Sequence, residues 1–495
     1  MMTPERFASL KQAGYNRVPV SRDILSDLDT PLSTYMKLAD EPWTFLLESV
    51  ESVDGNEKWG RYSYIGLACR ERIEVRGHTV RRFKDGYPAG ATEVEDPLAW
   101  IEQFRARINV PQLDDMRFDG GLVGYFGYDT IRYIEPRLRG VEKPDPLDIP
   151  DILLLIADEV VVFDNFTERL QAITYVDPNE TGSLTHANER LASIEHRLHD
   201  TVLKQYHESG TEHLTQEEDF FSSFSEQDYK NAVIRIQDYI SAGDLMQCVP
   251  SQRMSAPFKP CPLTLYRALR KVSPSPYMYY FNFGDHYVVG ASPEILARVE
   301  DDTVTVRPIA GTIQRGRNPE EDKALAESMI NDPKERAEHV MLIDLGRNDV
   351  GRISVDGSVR LTDKMVIERF SHVMHITSNV EGTLKPNLGP IDVLRATFPA
   401  GTLSGAPKIR ALEVIDEIEP VKRGVYAGAI GYLGWQGNMD MAIGIRTAVI
   451  KEGELHLQAG GGIVADSDPQ AEWQETLNKR RAMFRAMTMA EQGLV

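Results

Sequence analysis

The sequence predicts an α+β fold built on large antiparallel sheets. Strand-like segments follow one another in hairpin runs, as at residues 72–76 and 78–83. Helical segments fall between them too irregularly for the strand–helix alternation of a doubly wound parallel sheet, and no internal repeat supplies another architecture. A length of 495 residues allows two or three domains or one large composite unit.

Along the chain, residues 1–20 carry little pattern. A short helix is predicted at 31–38, and residues 43–49, Trp-Thr-Phe-Leu-Leu-Glu-Ser, read as a buried strand. Residues 62–66 and the hairpin at 72–83 continue the antiparallel pattern. Asp96-Pro97 opens a helix to about residue 108, because Asp is a favoured N-cap and Pro a favoured first helical residue. Glycine-punctuated residues 120–128, then 152–156, 159–163 and 170–175, add strands, and 185–198 a helix. Residues 207–224 are polar and acidic and read as a linker, dividing an amino-terminal domain (1–206) from a second domain (225–495). Ser225-Glu-Gln-Asp228 resembles a capping box, and Tyr229, Val233, Ile236 and Ile240 follow at the spacing of a core-facing helix.

The last hundred-odd residues concentrate the chemistry. Residues 425–433 read as one strand, Gly437-Asn438 as a turn, and 439–450 as a returning strand with Arg446 near its middle. Residues 455–459 form a third strand that runs into Gly460, Gly461 and Gly462. With no Cβ to block approach, three glycines leave backbone amides open to a ligand oxygen. Asp468-Pro469 then opens a helix on which Glu472 and Glu475 share a face. A twin start at Asp332-Pro333 carries Glu335 and Glu338 three apart. If the two helices lie side by side, four carboxylates repel. A divalent cation would relieve that repulsion, and oxygen-only ligands favour Mg²⁺ over Zn²⁺. Glu335 fits a helix cap equally well.

Arg446 in an apolar segment needs a carboxylate partner, internal or belonging to a substrate. His372 and His375 would point to opposite faces of an alternating segment, so at most one serves a given site, and their spacing is not that of a zinc hydrolase. Residues 397–408 form a Gly/Pro/Ser/Thr loop without Walker A spacing. It presents Thr402 and backbone amides to a ligand, or is an ordinary tight loop before a helix at about 408–417. No nucleophilic triad or nucleotide fingerprint is present.

Composition narrows the partners. A net charge of −20 disfavours nucleic acid and anionic membranes. Three cysteines, Cys69, Cys248 and Cys261, show no metal spacing and fit a reducing cytoplasm. No apolar run reaches the ~20 residues of a membrane span, and the N-terminus lacks a signal-peptide pattern. An anionic substrate would need local positive charge or a bound cation.

Taken together, these stretches resemble the chorismate-utilising enzyme family. The resemblance rests on Pro274-Ser-Pro-Tyr-Met278, Gly290-Ala-Ser-Pro-Glu294, Pro308-Ile-Ala-Gly-Thr312 and Asp332-Pro-Lys-Glu-Arg-Ala-Glu-His339. It continues through Asp344-Leu-Gly-Arg-Asn-Asp-Val-Gly-Arg352, Ala400-Gly-Thr-Leu-Ser-Gly-Ala-Pro-Lys408 and Gly460-Gly-Gly-Ile-Val-Ala-Asp-Ser467. It spans roughly residues 225–487, with a weaker match at Leu46-Leu-Glu-Ser49. It implies two large antiparallel sheets packed as a sandwich with helices outside.

It further implies Mg²⁺ held by Glu338 and Glu475, with Glu335 and Glu472 nearby, on the ring carboxylate of chorismate. Arg446, Tyr426 and the amides of Gly460, Gly461 and Gly462 match contacts to the substrate's carboxylate and enolpyruvyl group, and Gly311 and Thr312 line the site. Glu294 matches the general acid that protonates the departing C4 hydroxyl. His375 matches a histidine tied to pyruvate loss, and Thr402 goes with it. Gln247 stands where water-using relatives carry a lysine base, and Ala310 where others carry a nucleophilic lysine. The resemblance therefore implies direct amination at C2 by ammonia and pyruvate loss to anthranilate, the first step of tryptophan biosynthesis. Stopping at aminodeoxyisochorismate, making aminodeoxychorismate, or serving as a catalytically silent amino-acid-binding regulator are the alternatives. Ammonia would come from a separate glutamine amidotransferase subunit, in a heterotetramer of two plus two. Tryptophan would inhibit at Glu48, Ser49, Pro276, Tyr277 and Met278, with Arg61 as the basic residue.

Overall fold

A computed structural model describes residues 2–25, 27–49, 60–112, 116–140, 142–167, 169–203, 214–370 and 373–494. His372 and residues 207–213 of the expected linker lie outside the described residues.

Two antiparallel sheets dominate. In one, eleven strands run in the order Val18–Ile24, Arg169–Val176, Glu159–Asp164, Tyr62–Gly66, Thr44–Glu48, Tyr277–Asn282, His286–Ser292, Thr447–Lys451, Glu454–Gly460, Ser251–Pro257, Phe221–Ser222. The other has twelve and runs from Ile309–Gln314 and Val373–Thr383 through Ile295–Glu300, Met439–Ile443, Ala429–Gly434 and Gly121–Phe126 to the edge strand Tyr87–Glu93. Both sheets cross the expected division at 207–224. Thr44–Glu48 pairs with Tyr277–Asn282, and Gly121–Phe126 with Ala429–Gly434.

The period-2 alternation of strands explains the layers. Phe45, Tyr279 and Val288 join the core between the sheets, which also holds Val123, Tyr125 and Leu153 of the second sheet. Their neighbours Leu46, Tyr280 and Val289 point the other way, into a second core beneath the helices Pro31–Leu38, Ser183–Asp200, Pro262–Val272 and Pro469–Glu491. Aromatic edges lock the sandwich: Tyr64 stands T-shaped against Phe118 and Tyr432 across the layers, at centroid distances of 5.3 and 5.6 Å.

The early residues that read as featureless form the helix Pro4–Gln12, capped by Thr3, and the edge strand Val18–Ile24. Most predicted strands and helices fall within a few residues of their expected places. The difference that matters lies at the C-terminal end. The strand expected over 439–450 is two strands, Met439–Ile443 and Thr447–Lys451, and they belong to different sheets. Gly444-Ile445-Arg446 is the crossover between them, and an unbroken apolar run concealed it. Residues 425–428 likewise form a turn, and only Ala429–Gly434 is strand. No helix among the described residues is long and apolar enough to cross a membrane.

Candidate functional site

The site lies where these crossovers bring strand ends together. Glu294 sits just before Ile295–Glu300, and its backbone carbonyl accepts from the Ile443 amide at 3.0 Å. Its side chain is 9% exposed. Thr402, in the short turn Gly401–Leu403, donates its hydroxyl to Glu294 Oε1 at 2.9 Å. Burial pushes the Glu294 carboxyl up to about 7, although the Thr402 hydrogen bond, Lys479 and Arg446 oppose it. A carboxyl poised there can donate a proton at neutral pH.

Arg446 occupies the crossover with φ +49°. A left-handed backbone costs a non-glycine residue about 1 kcal/mol. The two strands that it joins, in different sheets, impose that cost. No side chain among the described residues pairs with the guanidinium. Burial lowers its pKa, and Glu294 is the charge that acts back on it.

His375 is buried in the strand Val373–Thr383. Its Nδ1 lies 2.8 Å from the Gly311 carbonyl oxygen and 3.2 Å from Thr312 Oγ1. A carbonyl only accepts, so Nδ1 carries the proton and Nε2 keeps its lone pair. Burial pushes the imidazole down to about 4, with Arg446 a smaller contributor. It is therefore neutral near pH 7.

The three glycines abut functional side chains. A Cβ on Gly460 would stand 3.1 Å from Tyr426 Oη, one on Gly461 2.8 Å from Glu472 Oε2, and one on Gly462 2.5 Å from Gln247 Nε2. Any larger residue would displace the groups that face the pocket. Gly311, at φ +63°, does the same for Glu335, whose Oε2 a Cβ would approach to 3.0 Å.

The acid-bearing helices start as expected, with Asp332 and Asp468 as N-caps before Pro333 and Pro469. They do not pack side by side. Pro333–Ile353 rests on Val373–Thr383 and Ile309–Gln314, fixed by His339 Nε2 at 2.8 Å from Ser378 Oγ. Pro469–Glu491 rests on Pro262–Val272 and Glu226–Ser241. Only their first turns approach. Asp332 caps the Glu335 amide at 3.1 Å, which leaves the Glu335 carboxylate free to reach toward Gly311. Partial desolvation, then Glu335 and Glu475, push the solvent-accessible Glu338 carboxyl up. Desolvation also raises Glu472, and Glu475 adds to it, while Ser467 Oγ donates to its Oε1 at 2.7 Å.

These residues suit Mg²⁺ in donor type and charge. All are carboxylates, desolvation and neighbouring carboxylates raise Glu338 and Glu472, and Glu472 Oε2 is buried with no hydrogen-bond partner. No three metal-ligating side chains among the described residues converge on one point. Glu475 instead pairs with Lys479 at 2.8 Å. Lys479, which sequence reasoning passed over, also donates to the Gly460 carbonyl at 2.7 Å. Its signal was the i,i+4 spacing from Glu475 on one helix face.

A separate cavity of about 570 Å³ opens between the sheets. Glu48, Ser49, Arg61, Pro276, Tyr277 and Met278 all line it, with Arg117, Arg298 and Asp440 from the second sheet and its approach. Alternation splits two of the expected residues: Ser49 faces the cavity, whereas the Glu48 carboxylate turns to Tyr266 and to Arg270 at 3.1 Å. Arg61 holds Asp164 at 2.9 Å. Asp440 accepts from Tyr277 Oη at 3.0 Å and from Arg298 at 2.6 Å.

Residues 53–485 match the chorismate binding enzyme family, and the chain belongs to it. Within that class it is similar to the anthranilate synthase component 1 of Pseudomonas aeruginosa, 59% identical over 494 residues covering 100% of both chains. It is 51% identical to that of Neisseria meningitidis over 500 residues, again covering 100% of both. Its structure is similar to that of anthranilate synthase component I from Streptococcus pneumoniae, with a TM-score of 0.78 at 38% identity, covering 94% of this chain and 99% of that one. The menaquinone-specific isochorismate synthase of Escherichia coli shares the fold, with a TM-score of 0.72 at 18% identity over 97% and 98% of the chains.

Proposed function

We propose that this protein is the chorismate-aminating subunit of an anthranilate synthase. The observation that carries this reading is the meeting of a buried Glu294, whose carboxyl burial pushes up to about 7, with an Arg446 that has no partner among the described residues. One group supplies a proton and the other awaits a carboxylate.

Arg446 takes a carboxylate of chorismate, a dicarboxylate, in the geometry that a guanidinium favours. Tyr426 and the open amides of Gly460, Gly461 and Gly462 hold the enolpyruvyl side. Glu338 and Glu475, with Glu335 and Glu472 behind them, would hold Mg²⁺, which when bound offsets the ring carboxylate's charge in an otherwise acidic pocket. Glu294 gives its proton to the C4 hydroxyl, which leaves as water while ammonia bonds to C2. Gln247, a neutral amide beside Gly462, is a poor base for activating water, and Ala310 cannot attack C2 itself. Loss of the C2 proton, scission of the C3–O bond and departure of pyruvate then aromatise the ring. Neutral His375, with Nε2 unprotonated, suits this second step and favours completion to anthranilate over arrest at the amino intermediate.

The relatives' designation as component 1 supports a partner component, and we assign it as a glutamine amidotransferase supplying ammonia. The inter-sheet cavity is lined by apolar, aromatic and charged side chains, and we assign it to tryptophan as feedback inhibitor. Residues 1–206 contribute its Ser49 side and residues 225–495 its Pro276–Met278 side. Two contacts tie it to the catalytic pocket. Tyr277 pairs with Ser292, two residues before Glu294, and Tyr279 Oη lies 2.6 Å from Thr447 Oγ1, beside Arg446.

The test is to incubate the purified chain with chorismate, Mg²⁺ and ammonium and follow anthranilate fluorescence. Anthranilate is expected. Isochorismate or salicylate would overturn the assignment of ammonia as nucleophile, and an accumulating aminodeoxyisochorismate would overturn the second step.

A further inference from the structure

One buried ion pair stands outside the reaction yet touches several of the segments that serve it. Glu419 follows the helix Lys408–Ile418, and Arg423 lies four residues on; their side chains are 3% and 1% exposed. Arg423 binds both carboxylate oxygens of Glu419, at 2.6 and 2.9 Å. It also donates to the carbonyls of Leu403, at 2.8 Å, and Val249, at 2.7 Å. Glu419 Oε1 also accepts from the Ser251 amide and hydroxyl, both at 2.8 Å. The guanidinium stands 5.5 Å from the Tyr426 ring centre. Ser251 in turn pairs in register with Gly460.

Leu403 follows Thr402, and Val249 lies two residues past Gln247. We infer that the Glu419–Arg423 pair is a positioning device for the amination reaction, which sets Thr402, Gln247, Tyr426 and the Gly460 strand from one point. The inference rests on the proposed chorismate amination. A buried ion pair gives little net stability over a well-packed apolar pair, so stability alone does not account for it. Its geometry does, because a planar fork fixes several acceptors at once where an ammonium cannot.

Arg423→Lys tests this in the full chain with chorismate, Mg²⁺ and ammonium, beside wild type. The lysine keeps the charge but cannot span Glu419, Leu403 and Val249 together. Thr402 and Gln247 loosen together with Tyr426 and the Gly460 strand, while Arg446, Gly461 and the carboxylates of the two acid-bearing helices stay in place, so kcat should fall at least about tenfold and the KM for chorismate should rise by a smaller factor. The pH profile provides a readout that a loss of folded protein would not move. Glu294 is faced by Thr402, Lys479 and Arg446, and the Thr402 bond holds its pKa down. Loosening Thr402 should therefore shift the alkaline limb of kcat to higher pH. If Arg423→Lys does not fold, Glu419→Asp retracts the carboxylate by one methylene and should give the same pattern. Wild-type kcat and an unmoved pH limb in a folded variant would overturn the inference. Absence of anthranilate from wild type would instead overturn the functional reading beneath it.

Discussion

The catalytic pocket and the inter-sheet cavity are both polar, but they treat charge in opposite ways. In the cavity, Asp440 is held by Arg298 and Tyr277, and Arg117 by Glu300 at 2.7 Å. In the pocket, Arg446 has no partner among the described residues, Glu472 Oε2 is orphaned and the Glu338 carboxyl is raised by desolvation and by Glu335 and Glu475. Buried polar groups are satisfied unless something else completes them. On the proposed reading, the difference separates an inhibitor site whose charges are paired without its ligand from a catalytic site that substrate and cation would complete.

The largest break should come from Glu294→Gln. It removes the proton donor and, as general-acid losses do, should lower kcat by about 10²- to 10⁴-fold, with chorismate binding by calorimetry little changed. The same residue predicts the pH dependence. Glu294 acts only when protonated, and its pKa is raised to about 7, so kcat should fall as pH rises through about 7. Next is Arg446→Gln. Leaving a bound carboxylate without its charged partner costs about 2 kcal/mol or more, a rise in chorismate KM of roughly 30-fold.

Ser49→Phe fills the cavity and sharpens the contrast from its other side. Tryptophan inhibition should disappear while uninhibited kcat stays within about twofold, as for substitutions remote from the chemistry. The smallest effect is on stability. His339 and His375 are both pushed down to about 4 by burial. Below the ordinary histidine value the unfolded chain takes up protons that the folded chain refuses, so their contribution is intact above about pH 6.5 and fades as pH falls toward 4. Thermal melts between pH 8 and 4.5 should show a declining midpoint, and His375→Asn should flatten that decline.

Much of the catalytic pocket was legible in sequence because its parts are local. Asp-Pro helix starts placed Glu335, Glu338, Glu472 and Glu475, and three successive glycines announced a backbone open to a ligand. The unreadable parts are those that only tertiary structure defines. An apolar run from 439 to 450 reads as one strand whether or not it changes sheets, so the strained crossover at Arg446 left no mark. Side-by-side packing of the two acid-bearing helices was a natural extension of their twin starts, yet each has its own support. Nothing in the local sequence sets Glu419 and Arg423, four residues apart, off from ordinary surface charges. Burial against Leu403 and Val249, distant in sequence, gives them their place. The apolar run at residues 43–49 predicted a buried strand, and pairing with Tyr277–Asn282 decides that Ser49, not the Glu48 carboxylate, faces the cavity.

The contrast between the two regions is tested most directly by titrating chorismate into the protein calorimetrically with and without Mg²⁺. If carboxylates and arginine in the pocket are completed together by substrate and cation, Mg²⁺ should tighten chorismate binding, chorismate should tighten Mg²⁺ binding by the same factor, and Glu338→Gln should abolish the coupling. Equal chorismate affinity with and without Mg²⁺ in the wild-type protein would contradict the account.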